Sequence, residues 1–457
     1  MQIDYNTQEL RQQDFAHYIH PFSDMQDVKA AGTRIMVSGE GCYIWDSDGN
    51  KIIDGMSGLW CVNLGYGQPN LIEAAHQQLR VLPFYNSFFK TANVPAIQLA
   101  TLLSQVAPDG FNRVFFTNSG SEGNDTIVRM VRRYWDVLGK PQKKTIISRW
   151  NAYHGSTMAG ASLSGMKAMH EQGGLPIPGI VHIDQPYQLE HGLPGESPEE
   201  FATRAASWLE DKIKALGAEN IAAFIGEPVQ GAGGVIIPPP GYWQKIQEIC
   251  NRYDILLVSD EVICGFGRLG TWFGCQHPHI NIKPDLITIA KGLTSGYIPM
   301  GGVLVSKKVG DILVDKGGEF NHGFTYSGHP VAASVGIATI KYMQEINLLA
   351  TLHSKIIPYF ASAFASLNDH PLVGDASSIG MVAGLVLYKD KSKKELFPEN
   401  QGVGMQCREF CFRNGVIMRA VGSRMIIAPP LVITEGIIDE MIAKIRSSLD
   451  STLKAIK

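Results

Sequence analysis

The sequence predicts an α/β protein: a large domain with a mostly parallel sheet flanked by helices, plus a smaller α+β domain built from both termini. Three observations predict it. Between about residues 70 and 330, short apolar runs alternate with amphipathic stretches, the texture of strands buried on both faces and joined by helices. Ahead of that region, 32–55 alternates apolar and polar residues around Asp48-Gly49, the pattern of a hairpin closed at a turn. Behind it, a long helical stretch at 330–349 leads into mixed strands and helices.

In chain order, residues 1–69 begin with a polar helical stretch, pass His20-Pro-Phe22 and enter the hairpin. They are read as the segment that completes the small domain. Residues 70–330 are read as the large domain, with strands predicted at 113–118, 143–150, 221–229, 254–262, 285–290 and 301–306. Residues 331–457 are read as the C-terminal small domain. No internal repeat or low-complexity linker separates the parts, so an extensive interface between them is expected.

Composition narrows the function classes. With 457 residues, 45% of them hydrophobic, the chain can bury a large core. The formal net charge is -3 and Lys and Arg are scattered, so no basic face advertises nucleic acid or anionic lipid, and small-molecule chemistry is expected. No apolar run is long enough to span a bilayer. Seven cysteines without a CxxC pair, behind a polar N-terminus that reads as neither signal nor transit peptide, lead to the expectation of reduced thiols and a cytoplasmic protein. Cys407 and Cys411 stand four apart on a predicted helix; lacking further soft ligands, they read as buried structural cysteines, and no metal is expected.

Ligands in open α/β sheets collect beyond the C-terminal ends of the strands, so polar residues after the apolar runs are the site candidates. Thr117-Asn-Ser-Gly-Ser121 precedes a helix with Ile127, Met130, Val131 and Tyr134 on its apolar face; the turn serves as an ordinary cap or binds a phosphate at the positive helix end. Asp260 and Glu261 follow the buried run at 255–258. A carboxylate there holds a heterocyclic nitrogen protonated, binds a metal or caps a helix. Lys291 ends another apolar strand, where it is either a desolvated nucleophilic amine or a lysine that snorkels to the sheet edge. Tyr153 and His154 follow the strand at Ile146-Ile147, placing an aromatic that covers a flat cofactor or packs in the rim. Together these supply a phosphate cup, a ring-nitrogen carboxylate, a stacking aromatic and an imine-forming lysine, the needs of pyridoxal 5′-phosphate.

Six segments carry a resemblance. NSGSE at 118–122, NAYHGST at 151–157, GEPVQGAGGV at 226–235, SDEVICGFGR at 259–268, AKGLTSGYIPMGG at 290–302 and HGFTYSGHP at 322–330 resemble the class III aminotransferases of pyridoxal-phosphate fold type I, in their usual order. Within that family, GLWCVNLGYG at 58–67, LPFYNSFFKT at 82–91 and IMRAVG at 417–422 are similar to the omega-amino acid, putrescine and amine:pyruvate aminotransferases.

The resemblance implies roles. Lys291 would hold the cofactor covalently and, once released, shuttle a proton; Asp260 would pair with the pyridine nitrogen. Tyr153, with His154 beside it, would stack on one ring face and Val262 would press on the other. Ser119, Gly120 and Ser121 would meet the phosphate, with Phe324 and Thr325 reaching it from a neighbouring subunit of a homodimer or tetramer. Glu227 would orient Asp260 or nearby polar groups. Phe22, Trp60, Phe88, Phe89 and Tyr153 would wall the substrate pocket, and Arg419 would grip the carboxylate of pyruvate and swing away for an amine. The implied reaction moves an amino group from a terminal primary amine to pyruvate, giving an aldehyde or ketone and L-alanine. The donor would be putrescine or another diamine or polyamine, an omega-amino acid or an arylalkylamine. Alternatives are an aminomutase or decarboxylase on the same fold, and a non-catalytic regulator that binds the cofactor. The chain departs from the family pattern at Gly123, Leu269 and the segment 374–380 with Ser377 and Ser378.

Overall fold

The structure is a computed structural model that describes residues 5–456. Its central sheet has seven strands in the order Phe111–Thr117, Gly301–Ser306, Leu286–Ile289, Leu256–Asp260, Ile221–Gly226, Thr145–Arg149 and Ile180–Ile183. From Leu286–Ile289 outward to Ile180–Ile183 every neighbouring pair is parallel, whereas Gly301–Ser306 runs antiparallel to both its neighbours. The short connection from Ile289 to Gly301 explains the reversal, because a parallel return needs a crossover of a dozen residues or more.

Alternation along the inner strands decides which face each residue serves. Phe224 and Leu257 join Phe201, Leu209, Trp243 and Ile246 in one core, under the helices Pro198–Leu216 and Tyr242–Arg252. Ala223, Ile225, Leu256 and Val258 join Ile127 and Val131 in another, under the helix Gly120–Val137. Both faces are covered, so Ile221–Gly226 and Leu256–Asp260 are buried throughout, and their polar ends open onto a single edge.

A second sheet, antiparallel, contains Val373–Ile379, Val382–Asp390, Arg424–Ile427 and Arg419–Val421, with Glu395–Leu396 paired to the side. Ser377 and Ser378 sit inside its first strand, opposite Gly384 and Ala383. The N-terminal strands Met36–Glu40, Tyr43–Asp46 and Lys51–Ile53 form an antiparallel sheet of their own. Ile53 donates to Gly415 O at 2.9 Å and accepts from Ile417 N at 2.9 Å, which brings the two ends of the chain together. The helix Pro330–Glu345 places Ala332, Ala333 and Ile340 in the large core and Val335 and Met343 in the small one.

Arg268 pins these parts around the site. Fully buried, it donates to Met381 O at 3.2 Å, Pro429 O at 2.5 Å, Ser57 Oγ at 3.2 Å and Asn63 Oδ1 at 2.8 Å. All four acceptors are neutral, and burial pulls the guanidinium down to about 10. No helix among the described residues is long and apolar enough to cross a membrane.

Candidate active site

Lys291 stands two residues beyond the strand Leu286–Ile289, in a left-handed backbone conformation with φ 47°. Such a conformation costs a non-glycine residue about 1 kcal/mol and persists where surrounding structure imposes it. Here the loop is tied down just after the bend. Thr294 Oγ1 donates to Ile298 O at 2.6 Å, and Ser295 Oγ accepts from Leu64 N at 2.9 Å. A Cβ on Gly292 would lie 2.5 Å from Asn63 Nδ2, so the bend fits only without a side chain there. The result sets Lys291 Nζ 5.6 Å from the Trp60 ring. Burial pulls the amine below the usual lysine range, Cys61, Asp260 and Glu227 oppose that, and Arg419 adds to it. A lowered value makes the neutral, nucleophilic form more available near neutral pH.

Asp260 closes its strand with both carboxylate oxygens engaged. Oδ2 accepts from Asn124 Nδ2 at 2.8 Å and His154 Nδ1 at 2.7 Å, and Oδ1 accepts from Val262 N at 3.0 Å. An ionised carboxylate offers about four acceptor positions, so one remains, on Oδ1. Glu227 makes no bond to Asp260; its carboxylate accepts from Tyr153 N at 3.0 Å and Gly231 N at 3.0 Å. Burial, the largest influence, holds the Glu227 carboxyl above the ordinary range, and Asp260 adds to the rise. Asn124 was not among the residues singled out in the sequence. It lies four positions after Gly120 and therefore on the same helix face, a signal that becomes readable once Gly120 is placed at the site.

The turn before the helix Gly120–Val137 is a reciprocal cap. Ser119 Oγ accepts from Glu122 N at 3.2 Å, while the Glu122 carboxylate accepts from Asn118 N at 2.7 Å. The amides of Gly120 and Ser121 belong to the first turn and have no intrahelical acceptor. Ser121 Oγ accepts from Ser156 N at 3.1 Å. Two glycines let the loops converge: a Cβ on Gly120 would lie 2.8 Å from Val262 Cγ2, and one on Gly155, at φ 128°, 2.5 Å from Ser121 Oγ.

Ser119, Gly120, Ser121, Tyr153, His154, Asp260, Val262 and Lys291 border one cavity of about 310 Å³, joined there by Cys61 and Asn118. Trp60 is buried beside it, with the Arg419 guanidinium 5.9 Å from its ring. Arg419 makes no side-chain hydrogen bond or ion pair among the described residues, and burial holds it below the usual arginine range. Phe22, largely exposed, meets the Tyr153 ring edge-on at 6.3 Å. Phe22, Trp60, Glu227 and Arg419 stand behind or beside the cavity wall without bordering it, and four more expected residues do not border it either. Phe88 packs on Phe89 at 5.9 Å, with Phe89 93% exposed; Phe324 packs on His322 at 5.0 Å; Thr325 is exposed.

The donors suit a flat heterocycle bearing an aldehyde and a phosphate. Free helix amides would meet the phosphate, the single open acceptor position of Asp260 would meet a ring N–H, and the depressed amine of Lys291 would meet the aldehyde. That combination is pyridoxal 5′-phosphate, so fold and cavity define an enzyme of that cofactor.

The family model for class III aminotransferases matches residues 26–449. A putrescine–pyruvate aminotransferase of Pseudomonas aeruginosa is 57% identical over 441 residues, covering 96% of this chain and 95% of the relative. The chloroplastic gamma aminobutyrate transaminase 3 of Solanum lycopersicum is 44% identical over 422 residues, covering 92% and 81%. Among solved structures, the omega transaminase of Pseudomonas jessenii in complex with PMP superposes with a TM-score of 0.95 at 41% identity, covering 97% of this chain and 98% of that one. A thermostable (S)-enantioselective omega-transaminase from Thermomicrobium roseum gives 0.94 at 39%, covering 99% and 100%. The chain belongs to the class III aminotransferases, which use pyridoxal 5′-phosphate.

Proposed function

We propose that the chain transfers the amino group of a terminal primary amine, putrescine among the donors, to pyruvate, releasing an aldehyde and L-alanine. The observation that carries this reading is Arg419. It is a partly buried guanidinium without a partner, beside the Trp60 ring and a cavity that holds a depressed lysine. The name of the Pseudomonas aeruginosa relative supports the donor and the acceptor.

When bound, pyridoxal phosphate supplies an aldehyde that condenses with amines and a ring that withdraws electrons from the reacting carbon. Lys291 would hold the cofactor through its amine and, when that amine is free, would move a proton at the substrate carbon as general base and acid. Asp260 keeps the ring nitrogen protonated through its open Oδ1 position. Tyr153 and Val262 bracket the ring, Glu227 fixes the backbone of Tyr153, and the Gly120 and Ser121 amides with the Ser121 hydroxyl hold the phosphate. Trp60, Tyr153 and Phe22 offer apolar surface to a donor without a carboxylate, and Arg419 offers two parallel N–H groups to pyruvate. Phe88, Phe89, Phe324 and Thr325 act on the cavity of a second copy, making the working unit at least a homodimer. The seven cysteines are all unpaired, which supports a cytosolic setting.

Arg419→Ala is expected to lower kcat/KM for pyruvate by about 30-fold, the worth of roughly 2 kcal/mol of charge-assisted hydrogen bonding. The half-reaction with putrescine should change less than about threefold on the same scale. Steady-state and half-reaction kinetics measure both, and equal losses would contradict the assignment. The reading as a whole is tested by a panel of diamines, omega-amino acids and arylalkylamines with pyruvate. Alanine forming mole for mole with amine consumed supports transfer; carbon dioxide release or turnover without pyruvate contradicts it.

A further inference from the structure

The grip on Asp260 has a buried layer behind it. Thr288 Oγ1 lies 2.7 Å from Asn124 Oδ1, and Asn124 Nδ2 donates to His154 O at 2.7 Å and to Asp260 Oδ2 at 2.8 Å. All of these groups are buried. Turning the Asn124 amide over would set its oxygen against a carbonyl and a carboxylate, three acceptors with no proton among them. The Thr288 hydroxyl therefore donates, and the amide has one orientation. Thr288 is itself pressed in place: a Cβ on Gly123 would lie 2.7 Å from its Cγ2. The bare backbone at Gly123 is what lets the helix Gly120–Val137 sit this close to the strand Leu286–Ile289.

We propose that Asn124, held by Thr288, is a positioning residue that fixes the Asp260 carboxylate so that its one open acceptor position serves the cofactor's ring nitrogen. The inference rests on the reading above, in which Asp260 meets that nitrogen. Asn124 and His154 fill both positions of Oδ2, so the carboxylate cannot rotate without stranding two buried donors. An aspartate at position 124 would place a second carboxylate beside Asp260, and two carboxylates this close do not both stay ionised. When protonated, it would again offer Asp260 a donor. The other ionisable groups around the pair are His154 on Asp260 itself, Glu227 acting on His154, and Lys291 across the cavity. On the helix of Asn124, Glu122 is turned to Asn118 and Asp125 to Thr157 and Gly160.

Affinity of the full-length apo-protein for pyridoxal phosphate, followed by equilibrium dialysis and the visible spectrum, tests this without turnover. Asn124→Ala is expected to weaken binding by about tenfold at every pH, the loss of one charge-assisted hydrogen bond. Asn124→Asp should bind nearly as the wild type at about pH 5.5 and lose about 100-fold by about pH 8.5, as its carboxyl ionises against Asp260. Thr288→Val, which removes only the donor that orients the amide, should lose about threefold at every pH, and it keeps the test alive if a substitution at 124 fails to fold. Wild-type affinity in these variants, or a loss in Asn124→Asp that is flat with pH, overturns the proposal. Failure of the wild type itself to bind pyridoxal phosphate would instead overturn the reading of the site.

Discussion

Lys291→Ala is expected to lower transamination by about a thousandfold or more, since it removes both the covalent anchor and the proton carrier. Among the described residues no other amine borders the cavity. Arg419, the other cation beside Trp60, carries a guanidinium that stays protonated and cannot replace it. Steady-state alanine formation measures the loss, and retained activity within tenfold would contradict the role. The wild type should show a matching pH dependence. Burial depresses the Lys291 amine; the ammonium form cannot attack, so covalent uptake of pyridoxal phosphate by the apo-protein rises as pH passes upward through the depressed value. Half-maximal uptake is therefore expected below the pKa of about 10.4 of a free lysine side chain.

Asp260→Asn should be almost as damaging, at about a thousandfold in turnover, with the cofactor still attached to Lys291. Asparagine has nearly the same shape, so the loss reports charge and donor geometry. In one orientation its NH₂ faces the donors from Asn124 and His154, and in the other it faces Val262 N. Either way buried donors meet, and the ring nitrogen loses its anionic partner. Single-turnover kinetics with putrescine separate this from loss of cofactor. Activity within tenfold of wild type would show that the ring nitrogen does not depend on this acid.

The large sheet was legible because parallel strands buried on both faces are short continuous apolar runs. Five of the six runs read from the sequence contain a strand of the structure, and the first, 113–118, overlaps Phe111–Thr117. The seventh, Ile180–Ile183, was missed: it has four residues, His182 among them, and follows a Pro-Gly turn. The hairpin around Asp48-Gly49 is present, with Gly49 at φ 84°, and a third strand, Met36–Glu40, extends it through a second turn at Gly41. In the site, residues next to strand ends were readable because position in the fold alone exposes them. Asn124 was not, since nothing in a helical sequence marks a buried amide facing a carboxylate contributed by another strand. Nor could the sequence tell that Glu227 fixes Tyr153 and leaves Asp260 to Asn124 and His154, a distinction that rests on separations of an ångström or two. Phe88, Phe89, Phe324 and Thr325 remain outside the cavity of a single chain, and the roles proposed for them would require a second copy.

The most direct measurement is borohydride reduction of the protein loaded with pyridoxal phosphate, followed by proteolysis and mass-spectrometric mapping. A pyridoxyl group on Lys291 and on no other lysine is the predicted result. A label on a different lysine, or none, would contradict the account of this cavity.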